Sequence, residues 1–286
     1  MELIVQANFN QGYGDGFMAM CDYMRVAKEL KDLGYKTKLN FWLNRNYYYK
    51  SKTPLDYINT ECLNMFDTIQ IINNPLTKRN ENGYSCVFTH AGAEPSLHYW
   101  DLYINDESVE FFNKNYKVVQ FCMNDMVRGV IPDIFPKLNS EILDKYNEFI
   151  RNNNLFDYDT IYFRTQDLQD EPNFIQSYES KINEIIDRGK NIFVCSNSYE
   201  LKKLIKKINK KNVFYWELPL EEKMGGNHYN HQMISDDDLH KRNIYTLLDM
   251  WTLGKSNEIF FFTTWRRYSN FLLFAPIHKS KINYFG

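Results

Sequence analysis

The sequence is poor in glycine and proline, and none of its cysteines is paired in sequence. Twelve glycines and eight prolines in 286 residues are too few for a low-complexity or disordered chain. Cys21, Cys62, Cys86, Cys122 and Cys195 stand singly, with no C-x-x-C among them. Several lie in apolar runs and read as reduced core thiols, which excludes a disulfide framework. No uninterrupted apolar stretch approaches the about 18 residues of a spanning helix, and the densest run is Ile259-Phe260-Phe261-Phe262. Insertion in a membrane is therefore not expected. Met1 leads straight into Leu3-Ile4-Val5 with no basic segment and no apolar core of signal-peptide length, so the expected compartment is the cytoplasm. An excess of either charge is also missing: Lys+Arg 34 against Asp+Glu 36 gives −2, and no global field draws the chain to nucleic acid or membrane.

Aromatic residues are plentiful, at 16% with Tyr 21 and Phe 21, and the length suffices for a core in each of two domains. Abundant Asn, Lys, Ile and Tyr are the compositional mark of an AT-rich genome, as in some bacteria and phages. Leu3 to Ala7 reads as a strand, Gly12-Tyr13-Gly14-Asp15-Gly16 as a turn, and Phe17, Met20, Met24, Ala27 and Leu30 as the apolar face of a helix stopped by Gly34. With a second strand over 36–43, the opening is βαβ and predicts a parallel sheet. Strands are expected at 68–72, 85–89 and 116–122, then a helix carrying Ile142, Tyr146 and Ile150. The polar run Arg151-Asn152-Asn153-Asn154 has no periodicity and places the domain boundary, giving domains 1–152 and 153–286. The second half repeats the alternation: strand 160–163, helix 174–188 closed by Gly189, strand 191–195, helix 199–208, strand 213–216, an irregular loop 219–235, helix 237–253, strand 258–262 and an edge strand 282–285. The expected fold class is α/β, with two Rossmann-like βαβ domains facing across a cleft.

The chemistry-bearing residues collect at strand ends. The first loop is not a dinucleotide fingerprint, because position 17 is Phe17 and not the third glycine of G-x-G-x-x-G. Gly12, Gly14 and Gly16 either make a plain tight turn or let a ligand approach the backbone. Asp15 favours the second, being placed to take a proton from an acceptor hydroxyl. Arg164 ends the strand 160–163 and either pairs with Asp167 or holds a phosphate bidentately. Ser196-Asn197-Ser198 caps the next helix or offers N–H groups to a nucleotide. Asp249 interrupts an apolar helix, either buried with a partner or at the rim of a site. Thr263-Thr264-Trp265-Arg266-Arg267-Tyr268-Ser269 gathers hydroxyls and two cations at a strand-to-helix turn suited to phosphate oxygens.

In order and spacing, residues 158–275 resemble the fucosyltransferase-like group of GT-B glycosyltransferases, which includes α1,2-, α1,6- and protein O-fucosyltransferases. The group's His-x-Arg-[Arg/Thr]-Gly-Asp strand end falls on Tyr162-Phe163-Arg164-Thr165-Gln166-Asp167. Its strand with a Ser/Thr-Asp-Asp/Ser turn falls on Cys195-Ser196-Asn197-Ser198, and its helix with an internal Asp followed by a Phe-Ser turn on Asp249 through Tyr268-Ser269. The first loop is similar to the Gly-x-Gly-Asp start of heptosyltransferases. Tyr162, Gln166, Asn197 and Trp265-Arg266-Arg267 depart from the group's residues, so the resemblance does not imply GDP-fucose as donor.

The resemblance implies a GT-B fold with the nucleotide sugar held by 153–286 and the acceptor by 1–152. It implies Arg164 on the departing β-phosphate, Asn197 and Asp249 near the nucleoside, and Ser269, with Arg267 and Tyr268, on the diphosphate. Transfer would be inverting, with Asp15 as base and no cofactor or metal required. His90 follows the strand 85–89 and reads from its place at the strand tip as a base or a hydrogen-bond partner of the acceptor, or equally as a loop histidine with no role. Asp125 loosely resembles in position a catalytic Asp of phage DNA β-glucosyltransferase. His228, His231 and His240, with Asp236, Asp237 and Asp238, match no zinc spacing and read as a polar loop, with His228 as a possible substrate contact. Lys202, Lys203, Lys206, Lys207, Lys210 and Lys211 form one side of a helix, by default a solvated face and otherwise a ridge for DNA phosphates. The expected acceptor is thus a glycan hydroxyl or a hydroxymethylated base of phage DNA. A non-catalytic sugar- or nucleotide-binding module of the same fold is the alternative.

Overall fold

The computed structural model describes residues 2–8, 24–25, 27–42, 52, 54–72, 84–88, 118–123, 136–164, 171–196, 198–208, 211–218, 235–263, 272 and 281–285. They fall into two compact units, Met1–Asn139 and Ser140–Gly286.

The first unit carries a parallel sheet of β1 (Glu2–Asn8), β2 (Thr37–Trp42), β3 (Thr68–Ile72), β4 (Tyr84–Phe88) and β5 (Val118–Met123), in the order β3-β2-β1-β5-β4. The register runs from Leu3 beside Thr37 to Asn8 beside Trp42, and from Glu2 beside Val118 to Ala7 beside Met123. Helical residues at 24–25 and 27–32 precede β2. They end as the sequence predicts: Gly34 takes φ +85°, its N–H donates to the Lys31 carbonyl at 2.9 Å, and the Tyr35 N–H donates to Leu30 at 3.0 Å. This pair of bonds satisfies two orphan carbonyls of the last turn and needs a residue that tolerates positive φ.

The unit closes at its own C-terminal end through backbone bonds. Asn59 N–H donates to Lys137 O at 2.8 Å, Asn139 N–H to Tyr57 O at 3.0 Å, and Asn139 Nδ2 to Asp56 O at 2.7 Å. These bonds hold residues 137–139 against 56–59.

The second unit begins with α1 (Ser140–Asn152), followed by β6 (Tyr158–Arg164), α2 (Glu171–Ile186), β7 (Asn191–Ser196), α3 (Tyr199–Ile208), β8 (Val213–Phe214), α4 (Asp236–Gly254), β9 (Glu258–Thr263) and β10 (Lys281–Phe285). The sheet is again parallel, in the order β10-β9-β6-β7-β8. The boundary therefore precedes α1, whereas the polar run at 151–154 places it after that helix. Phe149 explains the difference: its ring stacks on Trp216 at 3.9 Å and meets Phe193 edge-on at 6.3 Å. The run at 151–154 is the end of α1. Asn154 adopts φ 51°, and the Leu155 N–H donates to Ile150 O at 2.9 Å.

The centre of this sheet is buried on both faces, as βαβ crossovers require. On one face Ile161, Phe163, Ile192, Val194, Phe260 and Phe262 meet Ile182 and Ile185 of α2 and Leu201 and Ile205 of α3. Alternate residues point to the other face, towards α1 and α4. There Tyr158 Oη donates to Thr252 O at 2.7 Å, Trp216 Nε1 donates to Thr252 Oγ1 at 2.9 Å, and Tyr162 stacks on Phe261 at 5.0 Å. Pro172 lies in the first turn of α2, where its missing N–H costs no bond, so the helix starts earlier than the expected 174. β8 is shorter than the expected 213–216. Among the described residues no helix is long and apolar enough to cross a membrane.

Candidate active site

Both sheets reverse their strand order beside their first strand. In the second unit β6 leads outward to β7 and β8, and the chain then returns through α4 to lay β9 on the other flank of β6. Open parallel sheets bind ligands at such a reversal, beyond the carboxyl ends of the strands. In the first unit the same reversal lies between β1 and β5. The segment with Gly12, Gly14, Asp15 and Gly16 follows β1 in the chain, and Asp125 follows β5. Those five residues, with His90, Asn197, His228, Arg267, Tyr268 and Ser269, lie outside the described residues.

Arg164, Ser196 and Asp249 are described: the first two end β6 and β7, and Asp249 lies in α4 within electrostatic reach of Cys195, the residue before Ser196. Arg164 is the last residue of β6 and is partly exposed. In register it stands beside Thr263 of β9, and its neighbour Phe163 beside Ser196 of β7. The three strand ends therefore form one rim, with a guanidinium at its middle and a buried threonine on one side.

On the other side the serines are committed to α3. Ser196 Oγ accepts from the Ser198 N–H at 3.0 Å, and Ser198 Oγ accepts from the Leu201 N–H at 3.3 Å. That is an N-cap at its expected offset, so both hydroxyls serve the turn that precedes the helix.

Asp249 is not a bare carboxylate. It is 6% exposed, and Lys202, 5% exposed, donates from Nζ to its Oδ2. Lys202 belongs to the first turn of α3 and Asp249 to α4, two helices on opposite faces of the sheet. β8 pairs with β7 only at Ile192–Val213 and Phe193–Phe214. Past Phe214 no described strand flanks Val194 to Ser196 on the side away from β6, and the Lys202–Asp249 pair joins the two helix layers there. The buried Cys195 thiol is within electrostatic reach of both charges. Burial raises it well above the ordinary thiol range, Asp249 adds to the rise, and Lys202 and Arg164 oppose it.

The lysine face of α3 is correspondingly smaller than its sequence suggests. Besides the burial of Lys202, Lys203 Nζ donates to Glu200 at 2.9 Å and lies over the Tyr199 ring at 4.6 Å. Lys206 Nζ donates to the Val213 carbonyl and covers Phe214 at 4.9 Å. Of the six lysines expected to form the ridge, Lys202 is buried and Lys206 is turned onto β8, while Lys203 stays exposed and pairs with Glu200 on the helix surface. Lys202 was missed as the buried partner of Asp249 because charge alone suggested solvent. Its helical phase was the available signal, since position 202 adjoins the apolar stripe of Leu201 and Ile205.

Asp236, Asp237 and Asp238 form the first turn of α4, capped by Ser235, whose Oγ accepts from the Asp238 N–H at 3.1 Å. Carboxylates there complement the helix dipole. Among the described residues no group of three His, Cys, Asp or Glu is arranged to hold a metal ion. A hollow of about 340 Å³ beside β8, lined by Phe149, Lys206, Phe214, Trp216, Glu217 and Tyr245 among others, sits two strands away from the β6–β9 reversal and is a separate feature.

No family model and no curated protein matches the sequence. Solved structures do match over nearly the whole chain. Fucosyltransferase NodZ from Bradyrhizobium superposes with a TM-score of 0.58 at 13% identity, covering 96% of this chain and 92% of that one. The NodZ α-1,6-fucosyltransferase soaked with GDP-fucose gives 0.54 at 12% identity, over 97% and 92%. POFUT1 in complex with GDP-fucose gives 0.52 at 11% identity, over 100% and 98%. At such identities the likeness is one of fold. With two parallel α/β units, each reversing beside its first strand, this chain has the fucosyltransferase-like GT-B fold.

Proposed function

We propose that the chain is a glycosyltransferase that moves a sugar from a nucleoside-diphosphate sugar to an acceptor hydroxyl. The observation that carries the reading is Arg164, a partly exposed guanidinium at the tip of the central strand, in register with Thr263 where the strand order reverses. A fixed cation there stabilises the charge that develops as a diphosphate departs. The solved relatives add the class of donor, since NodZ was soaked with GDP-fucose and POFUT1 was bound to it.

In the proposed step the acceptor oxygen attacks the anomeric carbon in line, and its bond to the β-phosphate oxygen breaks. The hydroxyl proton passes to Asp15 or His90, and the configuration inverts. Arg164 takes up the negative charge of the nucleoside diphosphate with the segment of Arg267, Tyr268 and Ser269, while Asn197 and Asp249 stand near the nucleoside. Asp125 and His228 are assigned to the substrates. These cations and N–H groups fill the role that a metal ion takes in other transferases, so turnover that persists in EDTA is expected.

A glycan hydroxyl is the favoured acceptor. A DNA duplex would need a continuous phosphate-tracking ridge, and Lys202 and Lys206 are engaged within the protein.

The deciding experiment incubates the chain with a panel of GDP- and UDP-sugars, with and without glycan acceptors and hydroxymethylated duplex DNA, and reads released diphosphate and labelled product. Transfer from one donor supports the proposal. Binding without release or transfer would identify a non-catalytic module, and binding of no donor would overturn the reading.

A further inference from the structure

Lys202 and Asp249 form a buried pair of opposite charges with no evident need in the fold, because an apolar pair of similar volume is usually as stable. Its place suggests another reason. The pair lies past the end of β8, with Lys202 in the first turn of the helix that follows β7, and β7 ends at Ser196 beside Phe163, the residue before Arg164. The three charges also act together on the buried Cys195 thiol. Arg164, Lys202 and Asp249 together carry a net charge of +1. Removing the lysine charge alone brings the sum to zero and leaves a carboxylate competing with the ligand for Arg164.

We infer that Lys202 is a positioning residue for the diphosphate of the donor: it neutralises Asp249 and so keeps Arg164 available to an anion. The inference rests on the nucleoside-diphosphate reading and adds to it a residue outside the proposed contacts. Inorganic pyrophosphate is the suitable probe, since it lacks the base and ribose that Asp249 is proposed to approach.

The experiment measures pyrophosphate and GDP binding by calorimetry for the full-length chain and for the variants Lys202→Met, Lys202→Arg, Asp249→Asn and Lys202→Met/Asp249→Asn. Lys202→Met should bind pyrophosphate about tenfold more weakly, the scale of one unit charge removed near a polyanion in a partly desolvated site. Lys202→Arg, which keeps the charge, and the double variant, which restores the sum to +1, should both return to within about threefold of the parent chain's affinity for pyrophosphate, the probe that does not reach the nucleoside side. A Lys202→Met chain that fails to fold leaves the test intact: Asp249→Asn should then bind pyrophosphate more tightly than the double variant, which differs from it by that one charge. Equal pyrophosphate affinity across all folded variants, with the parent chain binding, would overturn the inference alone. A parent chain that binds neither pyrophosphate nor GDP would overturn the donor-site reading instead.

Discussion

Arg164 stands beside Thr263 in the register that joins β6 to β9, and these are the two strands between which the sheet order of the second unit reverses. In open parallel sheets the crossover helices leave a crevice at such a reversal, and Arg164 is the last residue of β6. A fixed cation in such a gap is suited to an anion arriving from solvent.

Replacing Arg164 by Ala should lower kcat/KM for the donor by roughly 10²–10³-fold, the scale of losing one fixed donor to a developing charge. Arg164 is only partly buried, so the unfolding free energy should change by no more than about 0.5 kcal/mol. Arg164→Lys should recover only part of the loss, because an ammonium cannot make two parallel hydrogen bonds to a phosphate. Steady-state kinetics beside urea unfolding checks all three, and normal turnover in the Ala variant would remove Arg164 from the site.

The packing of α1 belongs to the second unit. Phe149 stacks on Trp216, and Phe149→Ala should destabilise that unit by about 2–4 kcal/mol. Thr252→Val keeps the shape but leaves the buried indole N–H of Trp216 without its acceptor, at a cost of about 1–3 kcal/mol. Urea unfolding followed by tryptophan fluorescence reads both. An unchanged midpoint for Phe149→Ala would detach the helix from the unit.

Asp159 is 1% exposed, and Lys190 approaches its Oδ2 at 3.6 Å. Burial raises its carboxyl above the ordinary aspartate range, Lys190 lowers it and Glu258 adds to the rise. The folded state therefore favours the protonated form. Its contribution to stability is full below the ordinary aspartate value and is lost as the pH rises through the raised one. Asp159→Asn, which stays neutral, should gain stability relative to the parent chain as the pH rises from the ordinary aspartate value through the raised one. A difference in unfolding free energy that stays flat over that range would contradict the sign.

The thiols should react in a set order. Cys195 is fully buried and raised well above the ordinary range by burial first and by Asp249 next. Cys62 is only partly buried, and backbone hydrogen bonds offset some of its own rise from burial. Iodoacetamide should alkylate Cys62 in the native protein and spare Cys195 until the chain unfolds. Peptide mass mapping over time checks this, and equal rates would show that the sheet end around Cys195 opens to reagent.

Strands and helices of the second unit were legible in the sequence because their signals are local. The run from Thr160 to Phe163 is apolar on both faces, as a central parallel strand must be, and positive φ at Gly189 closes α2 where it was expected. The domain boundary was not legible, because the contact that decides it joins Phe149 to Trp216 across the sequence. The same limit hid the partner of Asp249. A carboxylate in an apolar helix announces a need, but nothing near it in the sequence names Lys202, 47 positions away.

Placing the first strand of each unit at the middle of its sheet also sets the order in which the protein can be completed during synthesis. β6 leaves the ribosome early, yet its second flank is filled only by β9, about a hundred residues later, a separation that slows folding. Until then the apolar edge of β6 is open to wrong partners. A chain interrupted before Glu258 would contain Arg164 and most of the helices and still lack the wall beside it.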